Sequence, residues 1–279
     1  NHFTVTGRSL ESILERRIIW KQTILSGNFQ NGIKKLLDEN IINPSDASRK
    51  IEGLIFEAST DPAITGLTVD AQFTGDNLYD AIKKLCDSKN VGFRIKLSDD
   101  NKFVFKLYAG ADRSYDQFTN PYVIFSPKFE NVINTNYLES KKTLKTVTLV
   151  AGEGEGADRR TTTVACASGA GTGLNRRELY TDARDVSSTV DNETLTDAEY
   201  NAQLSQRGLE NLAENITTKS FEGKVETTRM YRYGEDFFLG DMIQIVNEYG
   251  IEGKARVTEF IRSQSKEGLD SYPTFVTVE

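Results

Sequence analysis

The side chains that could carry covalent catalysis are few and lie far apart in the sequence. The only histidine is His2, and the two cysteines are Cys86 and Cys166. Ser-His-Asp and Cys-His mechanisms need an imidazole held beside the nucleophile, and zinc sites need closely spaced Cys or His pairs. The sequence therefore predicts no enzyme of these classes and no bound metal or cofactor. It favours two free thiols in a reducing compartment over a disulfide.

Two glycine-rich segments could hold a ligand through their backbone. The loop at 169–173 has the composition of a phosphate-binding loop, but it is followed by Leu-Asn-Arg-Arg rather than by Gly-Lys-Ser/Thr and a helix. We interpret it as a surface loop. Glu153 and Glu155 alternate with Gly152, Gly154 and Gly156. Carboxylates on so mobile a segment cannot keep the fixed separation that the two acids of a glycosidase need. We interpret that segment as a hairpin tip.

Charged residues of both signs are concentrated in the second half of the chain. They could clamp a carboxylate or phosphate, or they could form ion pairs between strands or between subunits. No candidate nucleophile or base accompanies them, so we favour ion pairs and take them as candidates for an inter-subunit surface. The candidates are Arg159, Arg160, Arg176, Arg177, Asp182 and Asp185, with Asp191 as a further acid.

Composition narrows the class of protein. The chain has 279 residues, about two domains' worth, and its 34 Lys and Arg against 41 Asp and Glu give a net charge of −7. Proteins that bind duplex nucleic acid are usually basic, because neutralising phosphates supplies most of their affinity. No apolar run is long enough for a membrane span. We therefore expect neither nucleic-acid specificity nor membrane insertion.

The first half of the chain reads as mixed helix and strand. We predict a helix over 10–20 with Ser9 as its N-cap, and a second helix that begins after Asn28. Strands are predicted at 3–6, 51–57 and 65–74. The clearest unit is 75–108, where a helical period is followed by two alternating runs and thus predicts a helix packed on a β-hairpin. Its expected shared core is Leu78, Ile82, Leu85, Phe93, Ile95, Phe103 and Phe105.

The second half reads mostly as strand. Short β runs recur from 143 to 278, which is typical of a barrel or sandwich. One helix interrupts them at about 196–214, because Thr196 and Glu199 have the spacing of a capping box. The composition shift near 110–129 predicts a domain boundary there. The fold class is α+β and strand-rich.

Several segments form an ordered set along almost the whole chain. They are GRSLESILERRIIW at 7–20, GDNLYDAIKKLC at 75–86, VGFRIKL at 91–97, LYAGADRS at 107–114, VIFSPKFENVINTNY at 123–137, TLVAGEGEGADRR at 148–160, LNRRELYTDARDV at 174–186, LGDMIQI at 239–245 and VTEFIRSQSKEGLDSYPTF at 257–275. Taken together, these segments resemble a family of siphophage tail-hub or tail-associated minor structural proteins of phages and prophages.

The resemblance implies a baseplate-hub-like architecture. It implies a β-barrel-type hub domain with a smaller α+β domain of helix plus β-hairpin, and three copies forming a pseudo-sixfold ring. The chain starts abruptly at Asn-His-Phe. We therefore expect 1–6 to end a truncated N-terminal β-barrel, 7–125 to form the α+β domain, and 126–279 to form the strand-rich hub barrel domain.

The functional hypothesis is a structural component of the virion tail tip, made in the host bacterial cytoplasm. Its expected partners are two further copies of itself and the distal tail, tape-measure and tip or fibre proteins. The alternatives are a tail protein that degrades cell-wall polysaccharide and one that binds carbohydrate. The first would need two buried acids facing a cleft, and the second exposed aromatic side chains. The only tryptophan, Trp20, falls on the predicted helix at 10–20.

Overall fold

The computed structural model describes residues 8–190, 193–225, 230–250, 252–265 and 268–278. They divide into two compact units, one containing the chain up to Tyr108 together with Lys145–Asn215, and the other containing Ala109–Leu144 with Ile216–Glu279. These limits differ from the predicted domains 7–125 and 126–279, because one long helix of the second half packs into the first unit. The predicted strand at 3–6 lies outside the described residues, as does the predicted barrel remnant 1–6.

The first segment of the first unit alternates strands and helices. Side chains of Asn28, Asp61 and Asn77 accept hydrogen bonds from the first turns of its three α-helices. In chain order, its elements are β1 Thr23–Asn28, α1 Phe29–Leu37, β2 Leu54–Glu57, α2 Pro62–Thr65, β3 Thr68–Phe73, α3 Leu78–Ser88, β4 Gly92–Leu97 and β5 Phe103–Tyr108.

The helix predicted at 10–20 is shorter than expected. A 3-10 helix covers only Leu10–Arg16, and Ser9 makes no side-chain capping bond. The chain then leaves the helix because Ile19 donates its N–H to the Asp76 carbonyl at 2.8 Å and accepts one from Gly75 at 2.8 Å. Trp20 therefore lies outside any helix, contrary to the prediction.

The predicted helix and hairpin at 75–108 are confirmed. β4 pairs antiparallel with β5, and β2 adds a parallel third strand on the other side of β5. The rings of Phe93 and Phe105 stack with centroids 5.6 Å apart. Phe93 and Phe103 are half-buried, whereas the other predicted core residues, Leu78, Ile82, Leu85, Ile95 and Phe105, are buried.

The remaining elements belong to both units. Between Ala109 and Leu144 lie β6 Asp112–Arg113, β7 Ile124–Phe125 and β8 Val132–Ser140. The first unit then continues with β9 Val147–Ala151, β10 Thr161–Ala165, β11 Glu178–Asp182, β12 Thr189–Val190, β13 Glu193–Thr194 and α4 Asp197–Glu214. The second unit ends with β14 Thr218–Val225, β15 Met242–Val246, β16 Glu252–Ser265 and β17 Gly268–Val278.

Helix α4 holds the first unit together. Thr196 and Glu199 form the predicted capping box at its start. On one side α4 packs against the sheet β10-β9-β11, so closely that a Cβ on Gly208 would lie 2.8 Å from methyl groups of Val150 and Val164. On the other side it meets β3 and α3. This double packing explains why Lys145–Asn215 joins the first unit.

The second unit is built on one large sheet. Its strand order is β6-β15-β16-β17-β14-β8, and β7 also pairs with β15, next to β6 along the same edge. The buried core on this sheet contains Phe125, Phe237, Ile243, Ile245 and Phe275. Among the strands that the structure describes, no pairing joins β6 or β7 to β8. The sheet is therefore open, and the predicted closed barrel is not formed by these residues.

Candidate assembly surfaces

The six candidate charged residues lie on and beside the sheet β10-β9-β11. Arg159, in the loop before β10, donates from Nε to the Gly154 carbonyl at 3.0 Å and from Nη1 to the Tyr180 hydroxyl at 2.9 Å. Arg176 donates to Glu178 Oε1 at 2.6 Å. Both arginines thus lie against side chains or backbone of their own unit.

Arg160 and Arg177 also have partners within the unit. Arg160 donates to Asp197 Oδ1 at 2.6 Å, and its guanidinium carbon lies 4.0 Å from the centroid of the buried Tyr200 ring. The backbone N–H of Arg177 donates to Thr146 Oγ1 at 2.9 Å. Arg160 is therefore tied to the start of α4 and Arg177 to the start of β9.

Each of the two acids is held by an arginine outside the six candidates. Arg184 donates to both carboxylate oxygens of Asp182, and this hydrogen bonding holds the pKa of Asp182 below its usual value. Arg207 on α4 donates to Asp185 at 2.9 and 3.2 Å. The candidates are thus distributed over separate ion pairs rather than converging on one anion site. Asp191 lies outside the described residues.

An apolar spot lies on the face of this sheet that α4 does not cover. Strand pairing places Thr163, Leu149 and Tyr180 in one row across β10, β9 and β11. Leu149 is 44% exposed and Tyr180 56% exposed, and the Arg159 guanidinium reaches the Tyr180 hydroxyl from the edge. An apolar centre with a charged rim is the usual anatomy of a protein–protein contact. Side chains alternate between the two faces of a strand, which explains why these three lie on one face. The sequence alone does not indicate that this face is exposed.

A second exposed aromatic group lies on the loop between β6 and β7. Phe118 is 92% exposed, yet the loop around it is ordered by the neighbouring Gln117. The Gln117 amide nitrogen donates to the carbonyls of Ser114 and Asn120, and its oxygen accepts from the N–H groups of Thr119 and Asn120. The backbone on both sides of Phe118 is therefore held in place, and its ring extends into solvent.

Further contacts fix the base of the same loop. The rings of Tyr115 and Tyr122 meet edge to face at 5.9 Å, and Lys254 of β16 lies 2.5 Å from Asp116. The sequence analysis missed this loop. The only signal was a run of aromatic and turn-forming residues between two short strands, which does not reveal which ring points to solvent.

The segments LYAGADRS and LGDMIQI meet inside the second unit. Asp241 accepts hydrogen bonds from the Ala111 N–H at 2.8 Å, from Arg113 Nε at 2.8 Å and from the Phe238 N–H at 3.0 Å. A Cβ on Gly110 would lie only 1.8 Å from the Gly240 carbonyl oxygen. Gly240-Asp241, which alone reads as an ordinary turn, is therefore a junction that holds β6 against β15.

One buried acid in the first unit was also missed. Glu210 on α4 is 1% exposed, and burial raises the pKa of its carboxyl to about 7. Gln206 donates to its Oε1 at 3.2 Å, Arg207 Nε lies 3.8 Å from its Oε2, and Oε2 accepts no hydrogen bond. Nothing in the sequence distinguishes Glu210 from the exposed acids of the same helix.

The described residues contain no group of three or more His, Cys, Asp or Glu placed to hold a metal ion. In the same part of the chain, no helix combines the length and apolarity needed to cross a lipid bilayer. Both cysteines are free thiols; Cys86 is buried, which raises its pKa, and Cys166 is half-buried.

Comparison with known proteins gives the family. The family model described as Siphovirus ReqiPepy6 Gp37-like protein matches residues 1–275. The chain belongs to this family of siphovirus tail proteins. No curated protein matches its sequence. The predicted resemblance to siphophage tail proteins is thus confirmed over nearly the whole length.

Two solved structures show the same fold as this Gp37-like tail protein. The 43 kDa tail protein of prophage MuSo2 from Shewanella oneidensis is 11% identical, with a TM-score of 0.53, covering 98% of this chain and 72% of that one. A tail protein from Neisseria meningitidis is 14% identical, with a TM-score of 0.50, covering 98% of this chain and 73% of that one. The predicted strand-rich α+β class is confirmed, and the protein is a structural part of a phage virion.

Proposed function

We propose that this Gp37-like protein forms, as a homotrimer, the hub ring that joins the tail tube to the tip. Its partners there are the distal tail, tape-measure and tip or fibre proteins. The observation that carries an assembly role is Phe118, which is 92% exposed on a loop ordered by four hydrogen bonds of Gln117. Ordered aromatic anchors of this kind supply much of the binding energy of protein interfaces and lose little entropy on docking.

Apolar and charged groups should contribute unequally to the free energy of association. Burying the Phe118 ring against a neighbour contributes about 1.5–3 kcal/mol, and Leu149 and Tyr180 add apolar area on the first unit. Exposed ion pairs contribute only about 0–1 kcal/mol each. We therefore propose that the charged candidates set the register between subunits. They would form ion pairs with a neighbouring subunit, either instead of or besides their pairs within the chain. These residues are Arg159, Arg160, Arg176, Arg177, Asp182 and Asp185.

A hub of this kind needs contact surfaces rather than a reaction centre, and we propose that the chain is not an enzyme. The only acid with a strongly raised pKa, among those the structure describes, is Glu210. It is buried between α4 and its neighbours, and its nearest groups are Gln206 and Arg207 rather than a second carboxylate. A glycosidase needs two carboxyl groups facing a substrate cleft. No observation therefore favours the polysaccharide-degrading alternative.

Labelled virions test the proposed position. A small tag inserted at an exposed loop, such as 169–173, would carry a gold label that electron microscopy can locate on the tail. We expect the label at the tip end of the tube, on a ring. The matched control is the same tag on the major tube protein, which should label the whole length. Label distributed along the tube would contradict the hub position.

A further inference from the structure

A small cleft lies in the first unit, where the 3-10 helix Leu10–Arg16 ends. It is formed between residues 15–20 and 46–49 and has a volume of about 330 Å³. Trp20 forms part of its wall and is 64% exposed. Small-molecule sites have volumes of about 300–1,000 Å³, so the cleft has the size of a small-ligand site rather than of a docking face for a folded protein.

The wall of this cleft is held in place by its own hydrogen bonds. Arg49 Nη2 donates to the Ile18 carbonyl at 2.7 Å, and the Arg49 guanidinium carbon lies 5.1 Å from the centroid of the Trp20 ring. Arg17 Nε donates to the Arg49 carbonyl at 2.8 Å. The Trp20 N–H of the backbone donates to the buried Asn40 side chain at 3.1 Å. The cleft is therefore formed before any ligand arrives.

Charged side chains of both signs line the cleft together with the indole. They are Arg16, Arg17 and Arg49 with Glu15 and Asp46. Both carboxylate oxygens of Glu15 already accept hydrogen bonds from Arg8, and Asp46 Oδ1 accepts from Ser48. Arginine forks bind carboxylates in a bidentate manner, whereas carboxylates accept hydrogen bonds from hydroxyl groups. An exposed tryptophan ring offers a flat apolar surface with which the C–H face of a sugar ring can pack. The lining thus provides an apolar platform, cationic donors and anionic acceptors within one small volume.

We propose that this cleft binds an oligosaccharide that carries a carboxylate, such as a uronic-acid glycan. Its C–H face packs on Trp20, its carboxylate lies against the arginines, and its hydroxyls donate to Asp46. An acidic peptide segment fits less well, because it has carboxylates but few hydroxyls and would bring a carboxylate to Asp46 with no donor between them. This binding function is additional to the proposed hub role and does not depend on the ring.

The fluorescence of Trp20 reports directly on this site, because it is the only tryptophan of the chain. The whole protein is titrated with oligogalacturonate, with a neutral galactose oligomer of the same length, and with an oligoglutamate peptide. We expect a saturable change in emission with oligogalacturonate. The neutral sugar should bind about tenfold more weakly, since it lacks the charge-assisted hydrogen bonds. The oligoglutamate peptide should give no saturable change.

Three variants complete the experiment. Arg49→Gln should weaken oligogalacturonate binding about tenfold or more, by removing the stacked guanidinium. Arg16→Gln removes an exposed lining cation and tests the same claim if Arg49→Gln disturbs the fold. Arg232→Gln, at an exposed arginine of the second unit outside the cleft, should bind like the unaltered protein.

Several results would overturn the proposal. One is a titration with no saturable change at about 10 mM oligogalacturonate, a concentration that fills a millimolar site. Another is oligoglutamate binding as tight as that of the sugar acid, which would identify an acidic-peptide site. A third is binding that is unchanged in both Arg49→Gln and Arg16→Gln.

Discussion

The Nε atom of Arg113 lies 2.8 Å from Oδ2 of Asp241, joining two segments that are 128 residues apart in the sequence. The side chains are only 14% and 5% exposed. The same carboxylate accepts two backbone N–H groups, from Ala111 and Phe238. The short strand β6 is thereby fixed against β15, at the point where the loop carrying Phe118 begins.

Removing this carboxylate should destabilise the second unit. Asp241→Ala leaves the Arg113 guanidinium without its buried partner, and breaking a buried ion pair costs about 3–5 kcal/mol. The free energy of unfolding, measured in urea, should fall by that amount. The matched control is Asp116→Ala, which breaks the exposed pair with Lys254 and should cost about 1 kcal/mol or less. Equal losses in the two variants would contradict the role assigned to Asp241.

Gly110 should tolerate no side chain. Its Cβ would meet the Gly240 carbonyl oxygen at 1.8 Å, so Gly110→Ala must displace backbone in the β6–β15 junction. We expect a loss of about 3 kcal/mol or more in unfolding free energy. Gly253→Ala is the matched control, because no atom lies within 4 Å of the position that its added methyl group would take, and its change should stay within about 0.5 kcal/mol. A Gly110→Ala protein as stable as the Gly253→Ala protein would show that the close approach is absent.

The buried carboxyl of Glu210 should make stability depend on pH. Its folded-state pKa is raised from 4.5 to about 7, so the protonated form is the one that folding favours. The stabilisation from protonation is complete below about pH 4.5 and is lost as the pH rises through about 7. The difference in unfolding free energy between Glu210→Gln and the unaltered protein should therefore grow in favour of the variant as the pH rises from 5 to 8, by roughly 3 kcal/mol.

Urea unfolding at these two pH values measures the gain. Glu214→Gln, which changes an exposed acid at the end of α4, is the matched control. A Glu210→Gln protein whose stability difference from the unaltered protein is the same at both pH values would show that Glu210 is ionised in the folded state throughout.

Phe118 should matter for association and not for folding. Because the ring is 92% exposed, Phe118→Ser should change the unfolding free energy by no more than about 0.5 kcal/mol. The same change should weaken self-association by about 1.5–3 kcal/mol, as measured by sedimentation equilibrium. Gln117→Ala should also weaken association. It keeps the Phe118 side chain but removes the four hydrogen bonds that order the loop around it.

Tyr249→Ser is the control for these two variants. Tyr249 is an exposed aromatic residue, at 82%, in the turn between β15 and β16, outside the Phe118 loop. We expect its loss to leave association unchanged. If Phe118→Ser associates as well as Tyr249→Ser does, the ring is not an anchor.

Local patterns of the sequence predicted the elements whose partners are near in the chain. The helix and hairpin at 75–108 follow from period alone, and the start of α4 follows from Thr196 and Glu199. β1 was missed, because TILSGN has no clear alternation and becomes a strand only by pairing with β3, between Thr23↔Phe73 and Asn28↔Thr68. The predicted helix after Ser9 was too long for the same reason. The chain leaves that helix through backbone hydrogen bonds of Ile19 with Gly75 and Asp76, which lie far along the sequence.

The candidate surfaces were less predictable than the fold. The sequence identified the charged residues, but their partners come from other elements, as Arg207 of α4 does for Asp185. The exposure of Phe118 depends on how Gln117 folds its loop, which is a matter of geometry rather than of residue type. The sequence predicted that Trp20 lies on a helix. The helix ends at Arg16 instead, and this leaves Trp20 exposed beside Arg49.

The mass of the purified full-length protein tests the hub assignment most directly. Light scattering at high micromolar concentration and low salt should give three times the mass of one chain. The trimer should persist at high salt, because apolar contacts hold the ring while exposed charges, which salt screens, set only its register. A strictly monomeric species at low salt and high micromolar concentration would contradict the account.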